Sequence, residues 1–147
     1  MTNDSVYHGI EIAGVKEKAL DCTSVFSFFY EIVRYYMSEA NITIEELEAR
    51  TGVPNRTIKQ MRSESESEHR FELRYIVAVS IGLHMLSAHS FALIHLNGYG
   101  LRCSNRLERF YFFLLTECSD FSVSACNDFL IEHGLPPLTD KEINSYV

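Results

Sequence analysis

The chain has 147 residues, 46% hydrophobic and 22% charged, with a formal net charge of −7. That composition is ordinary globular material, argues against a disordered chain, and predicts one core, in one domain or two closely joined lobes. The acidic balance excludes indiscriminate polyanion binding, whose affinity comes from Lys and Arg neutralising phosphates, so any nucleic-acid contact has to be local.

Residues 1–22 mix Gly, Asn, Asp and short apolar pieces (VYHGIEIAGV) and are expected to form an N-terminal arm, irregular or a short hairpin; periodicity does not separate the two. They hold no apolar block of the kind a secretory signal needs. The longest apolar stretch, Tyr75 to Leu86, is broken by Ser80, Gly82 and His84 and falls far short of the roughly 20 residues that cross a bilayer. A cytoplasmic protein without a membrane partner is expected. The four cysteines, at 22, 103, 118 and 126, include no C-x-x-C pair, so reduced, buried thiols are expected.

From Thr23 the pattern turns helical. Val25, Phe28, Phe29, Ile32, Val33, Tyr36 and Met37 recur at three-and-four spacing and predict a first helix over 23–39. Asn41 breaks it. Thr43-Ile-Glu-Glu46 then has the form of a capping box, in which the Thr oxygen and the Glu carboxylate satisfy the free amides of a new helix. This second helix is expected to run to Arg50 and to stop at Gly52, which takes a left-handed conformation without steric cost. Pro54 suits the first turn of a third helix, from Asn55 to about Ser63. After the serine–glutamate run 63–68, Leu73, Ile76, Val77, Val79, Ser80 and Leu83 predict a fourth helix, apolar nearly all round and therefore central. A fifth is expected over Ser87 to Asn97, a sixth opened by Ser104, and a seventh capped by Ser122 and ending at Gly134. The fold class is all-α, a compact bundle of about seven helices.

Leu47, Val53, Ile58 and Met61 are placed to hold the second and third helices together across a tight glycine turn, a helix-turn-helix arrangement. Asn55, Arg56, Thr57, Lys59, Gln60 and Arg62 fall on the remaining surface of the third helix. The stretch LEARTGVPNRTIKQM, followed by LRYIVAVSIGLHM, resembles the bacterial and phage repressor type of helix-turn-helix, the Cro/XRE family. SFALIHLNGYGLR and NDFLIEHGLPPL look like the C-terminal extension of some bacterial members. The resemblance implies a helix-turn-helix domain over 23–86 and a helical extension over 87–147 that offers a dimerisation region.

It also implies that the third helix enters the major groove of double-stranded DNA, with base-edge contacts from Asn55, Arg56 and Gln60. Arg bonds guanine O6 and N7 in bidentate fashion, and Asn or Gln does the same with adenine N6 and N7. Thr57, Lys59 and Arg62 would meet phosphates, which position the protein without reading sequence. The chain departs from the family at Ile44, where a phosphate-binding Gln is common; at Glu48, where Ala usually lets the two helices touch; and at Ser63–Glu68, which replaces the usual Asn-Gly and Pro elements. Glu48 is expected either to lean into solvent or to displace the helices. The acidic run is expected to lower non-specific affinity more than specific affinity, because screening confines exposed charges to about 8 Å.

His84, His89 and His95 near Cys103 are spaced by five and six residues, which does not put two imidazoles on one helix face, so no metal is expected. His84 is expected at a helix end, meeting its terminal carbonyls. No Gly-flanked nucleophile or phosphate loop occurs, so neither catalysis nor a cofactor is expected. The function expected is sequence-specific transcription regulation as a homodimer on two half-sites. The alternative is an acidic interaction module on a helix-turn-helix frame that does not bind DNA. Such an inhibitor, antitoxin-like or phage anti-defence protein would occupy a basic surface on another protein.

Overall fold

The computed structural model describes residues 26–140. Within them the chain is all-α, with seven helices: α1 Phe29–Ala40, α2 Ile44–Thr51, α3 Asn55–Met61, α4 Leu73–Gly82, α5 Ser87–Leu96, α6 Arg106–Glu117 and α7 Val123–Glu132. A single 3₁₀ turn, Glu64–Glu66, lies between α3 and α4. The expected arm 1–22 and the expected first turn of α1 at 23–25 lie outside the described residues.

Local chemistry sets the ends. Within the described residues α1 starts at Phe29, because Phe28 is extended and Glu31 Oε1 accepts the amides of Ser27 and Phe28 at 2.8 and 2.9 Å. That carboxylate closes the first turn, so Phe28 lies outside the helix despite its apolar spacing. Asn41 ends α1 in the left-handed region at φ 53°. The Thr43–Glu46 capping box forms as the sequence predicts, with Glu46 N–H donating to Thr43 Oγ1 and Thr43 N–H donating to Glu46 Oε1. The bond from the Thr43 backbone amide, and after it the Thr43 hydroxyl, holds the Glu46 carboxyl below its ordinary range. Gly52 ends the helix at φ 80°, the stop the sequence predicts, although the helix runs one residue past Arg50 to Thr51. α6 is opened by Asn105, whose Oδ1 accepts Glu108 N–H at 2.9 Å, rather than by Ser104, which precedes the helix. Ser122 caps α7 as expected.

α4 is the hub: every residue from Ile76 to Gly82 is buried, and the helix packs against α2, α5, α6 and α7. α1 packs on α3 and α5, and α3 on α1 and α2. The apolar core is one cluster running from Phe29 to Leu138, so helices on both sides of residue 87 share it. α4 comes so close to α2 that a Cβ on Gly82 would overlap Thr51 Cγ2. This close approach, rather than a special dihedral, requires glycine there. After Gly134 the chain turns back, and Leu138 and Thr139 bury themselves beside Asn127 and Thr51.

Two sequence expectations are corrected. His84 sits at the end of α4 as expected, with φ 50°, but its side chain does not meet the terminal carbonyls there; its Nδ1 bonds the Ser119 carbonyl at 2.7 Å, linking α4 to the loop after α6. Cys126 is buried and its thiol is pushed up to about 12 by burial, but Cys103 is exposed, because it lies in the loop before α6 and not on a helix face.

Candidate nucleic-acid interface

Thr51 organises the turn between α2 and α3. Its side chain is fully buried, and Oγ1 donates to the Leu47 carbonyl at 2.7 Å while accepting Val53 N–H at 3.1 Å. One hydroxyl thus ends α2 and fixes the first residue of the exit, satisfying buried groups that would otherwise each cost about 1–3 kcal/mol. Leu47, Val53, Ile58 and Met61 are buried to within 1% of complete, as expected for the residues that clamp the pair. With Ile58 and Met61 inward, helical geometry fixes which positions of α3 face out.

The six candidate contact residues separate into three groups. Arg56 and Lys59 are exposed. Thr57 and Gln60 are partly exposed on the same short helix. Asn55 and Arg62, at its two ends, are engaged by other parts of the chain.

Asn55 is held by two carboxylates of α2. Its backbone N–H donates to Glu48 Oε2 at 3.2 Å and its side-chain Nδ2 donates to Glu45 Oε2 at 3.3 Å. Glu48 is therefore only partly exposed, and its carboxylate is turned to the chain and not out to solvent. It reaches across the turn to the first amide of α3, where a negative charge is favoured by the helix dipole. The sequence places acidic interference in the 63–68 run, but the carboxylates that reach Asn55 are those of Glu45 and Glu48. Within the run, Glu66 lies 3.8 Å from His69 and Ser63 Oγ bonds Ser65 Oγ at 2.8 Å, so those side chains find partners inside their own loop.

Arg62 points toward α1. Arg34 Nε donates to the Arg62 carbonyl at 2.8 Å, and Arg62 Nη1 lies 3.9 Å from Met37 Sδ. Arg34, Ser38, Asn41 and Arg62 line a shallow polar concavity of about 320 Å³ at the C-terminal end of α3. Arg34 carries no motif, and sequence reading missed it; the available signal is its place on the polar side of an otherwise apolar helix. Two guanidiniums beside each other, one braced over the Tyr30 ring at 4.7 Å, make this the point where cations from α1 and α3 meet. Ile44 is partly buried against the core, so α2 begins with a packing residue where a phosphate ligand is common in the resembled family.

Elsewhere, among the described residues, no three His, Cys, Asp or Glu side chains converge in a way that would hold a metal ion. His89 is buried and bonds the Tyr36 hydroxyl through Nδ1. No helix among the described residues is long and apolar enough to cross a membrane. Compared with family models, with curated proteins and with solved structures, the chain gives no match in any of the three.

Proposed function

We propose that the chain is a sequence-specific DNA-binding regulator of transcription in which α3 is the recognition helix and two copies engage two half-sites. The observation that carries this reading is the pairing of a clamped inner face, Ile58 and Met61, with an outer face presenting Arg56, Lys59 and Gln60. Side chains on a clamped helix read base edges because the backbone that carries them is fixed before contact. Arg34 and Arg62 add a cationic concavity at the far end of α3, suited to a backbone phosphate.

The test is selection from a random double-stranded pool, followed by titration of the enriched sequence. Arg56→Ala is expected to cost about 1–3 kcal/mol on that sequence and to relax preference at one base pair. Lys59→Ala is expected to weaken all sequences alike and to lower the salt slope by about one. A pool that returns no enriched sequence from a folded protein removes the reading.

One observation favours a second reading, an acidic interaction module that does not bind DNA. Glu45 and Glu48 occupy the end of α3 that would approach the bases, on a chain of net charge −7. Such a face fits a basic surface on another protein. An empty DNA selection, together with salt-sensitive binding to a basic protein that is lost in Glu45→Lys, supports it.

A further inference from the structure

The outer face of α6 is a single stripe. Arg109, Phe112, Phe113 and Glu117 are exposed at the spacing of neighbouring helical positions, with Thr116 half-exposed among them. Phe112 and Phe113 are 52% and 42% exposed, and Phe121, just beyond the helix, 55%. At about 200 Å² per ring, these three leave roughly 300 Å² of aromatic surface uncovered, within the size of the largest apolar patch on an ordinary single molecule, a patch that is often functional. The rings continue into their surroundings: Phe112 stacks on Phe91, Phe113 stacks on Phe129, and Phe113, Phe121 and Phe129 line a groove of about 510 Å³.

The charges on the stripe select the occupant. Its N-terminal end carries Arg106 and Arg109; its C-terminal end carries Glu117, with Asp120 just beyond. A stripe with an apolar centre and opposite charges at its ends complements itself when turned end for end. Phe113 lies four residues from Arg109 and four from Glu117, about 6 Å along the axis each way. A twofold axis through Phe113 therefore brings the basic end of one helix over the acidic end of the other and sets the two helix dipoles antiparallel.

We infer that α6 is a self-association surface whose occupant is a second copy of this chain, with α6 packed antiparallel on α6 about Phe113. The face lies apart from the DNA-reading helix: α6 packs on α4 and α5, whereas α3 packs on α1 and α2. The inference takes up the twofold arrangement that the DNA reading calls for, and its test contains no DNA, so either can fail alone.

The full chain is examined by sedimentation at tens of micromolar, and is expected to be a dimer. Arg109→Glu and Glu117→Arg each put two like-charge contacts into a symmetric interface and are expected to weaken self-association by roughly tenfold or more. The double reversal, Arg109→Glu with Glu117→Arg, restores opposite signs and is expected to return the dimer. Both positions are exposed, Arg109→Glu gives up only the bond from Arg109 Nη1 to the Cys103 carbonyl at 2.7 Å, and circular dichroism checks that folding is preserved. Phe112→Ser, at the exposed centre, is expected to give a monomer. A wild-type monomer, dimers unaffected by either single reversal, or a double variant no better than the singles overturns the proposal.

Discussion

Thr51 shows how much of the buried hydrogen bonding rests on one side chain. Its hydroxyl serves Leu47 and Val53, its carbonyl accepts from Thr139 Oγ1 at 2.8 Å, and its methyl fills the space left by Gly82. Thr51→Val keeps the shape but leaves a turn amide without its acceptor, and is expected to lose about 1–3 kcal/mol in urea unfolding. Gly82→Ala attacks the same contact from the other side. The added methyl collides with a branched, buried carbon that cannot rotate away, and about 1–3 kcal/mol is expected to be lost despite alanine's better helix propensity. Unchanged stability in Gly82→Ala would mean that α2 and α4 are not in contact as described. The Arg102–Glu108 pair gives the clearest pH signature. Glu108 accepts Arg102 Nη2 at 2.7 Å and Arg102 N–H at 2.7 Å, and the guanidinium holds its carboxyl below the ordinary range. A carboxyl depressed in the folded state adds stability above its unfolded pKa and loses it as pH falls through the folded value. The stability difference between wild type and Glu108→Gln is therefore expected to be constant from neutral pH to about pH 5, and to shrink in more acidic urea titrations.

Among the elements, α3 carries the functional argument and depends most on its neighbours. Seven residues are too few to hold a helix alone, so its order comes from Ile58 and Met61 beneath and from Glu48 at its first amide. Glu45→Gln with Glu48→Gln keeps acceptors for Asn55 and removes two charges from the face that would meet phosphate. DNA affinity is expected to rise about three- to tenfold, while the helix loses about 0.5–1 kcal/mol of dipole stabilisation. The two effects separate, because one is read by titration with the selected sequence and the other by thermal unfolding. Equal or weaker DNA binding would show that Asn55 does not face the nucleic acid. How legible each element is follows from where its information lies. Thr43 to Glu46, Gly52 and Ser122 act within four residues, and the helices they bound could be read off the sequence with errors of one or two positions. The spacing of Leu73, Ile76, Val77, Ser80 and Leu83, with Val79 making the helix apolar nearly all round, likewise marks α4 as central. The carboxylate bridge from Glu45 to Asn55 spans ten residues, and the Arg34–Arg62 approach spans 28, so neither has a local pattern to betray it. The opening of α6 lies one residue beyond the Ser104 that the sequence suggests, because Ser104 and Asn105 are both competent caps and it is Asn105 Oδ1 that accepts the Glu108 N–H.

At the scale of the described bundle, the segment after α7 ties residues 138 and 139 to the helix-turn-helix. Leu138 is fully buried, its N–H donates to Asn127 Oδ1 at 2.7 Å, and Thr139 reaches the Thr51 carbonyl across 88 residues. α7 itself packs on both α2 and α4. Changes in residues 135–140 should therefore be felt at the turn that aims α3, not only where they are made. Leu138→Ala removes a fully buried branched side chain beside this junction, and about 2–5 kcal/mol is expected to be lost, the range depending on how far the site collapses. Hydrogen exchange decides whether the loss is shared. If the core is one cooperative unit, amides of α2 and α4 lose protection by the same free energy as those of α7. If α6 and α7 form a separable lobe, only the α7 side opens, and protection at Leu47 and Ile76 stays at the wild-type value. The continuous apolar cluster from Phe29 to Leu138 predicts the first outcome, and with it a single unfolding transition for the described bundle.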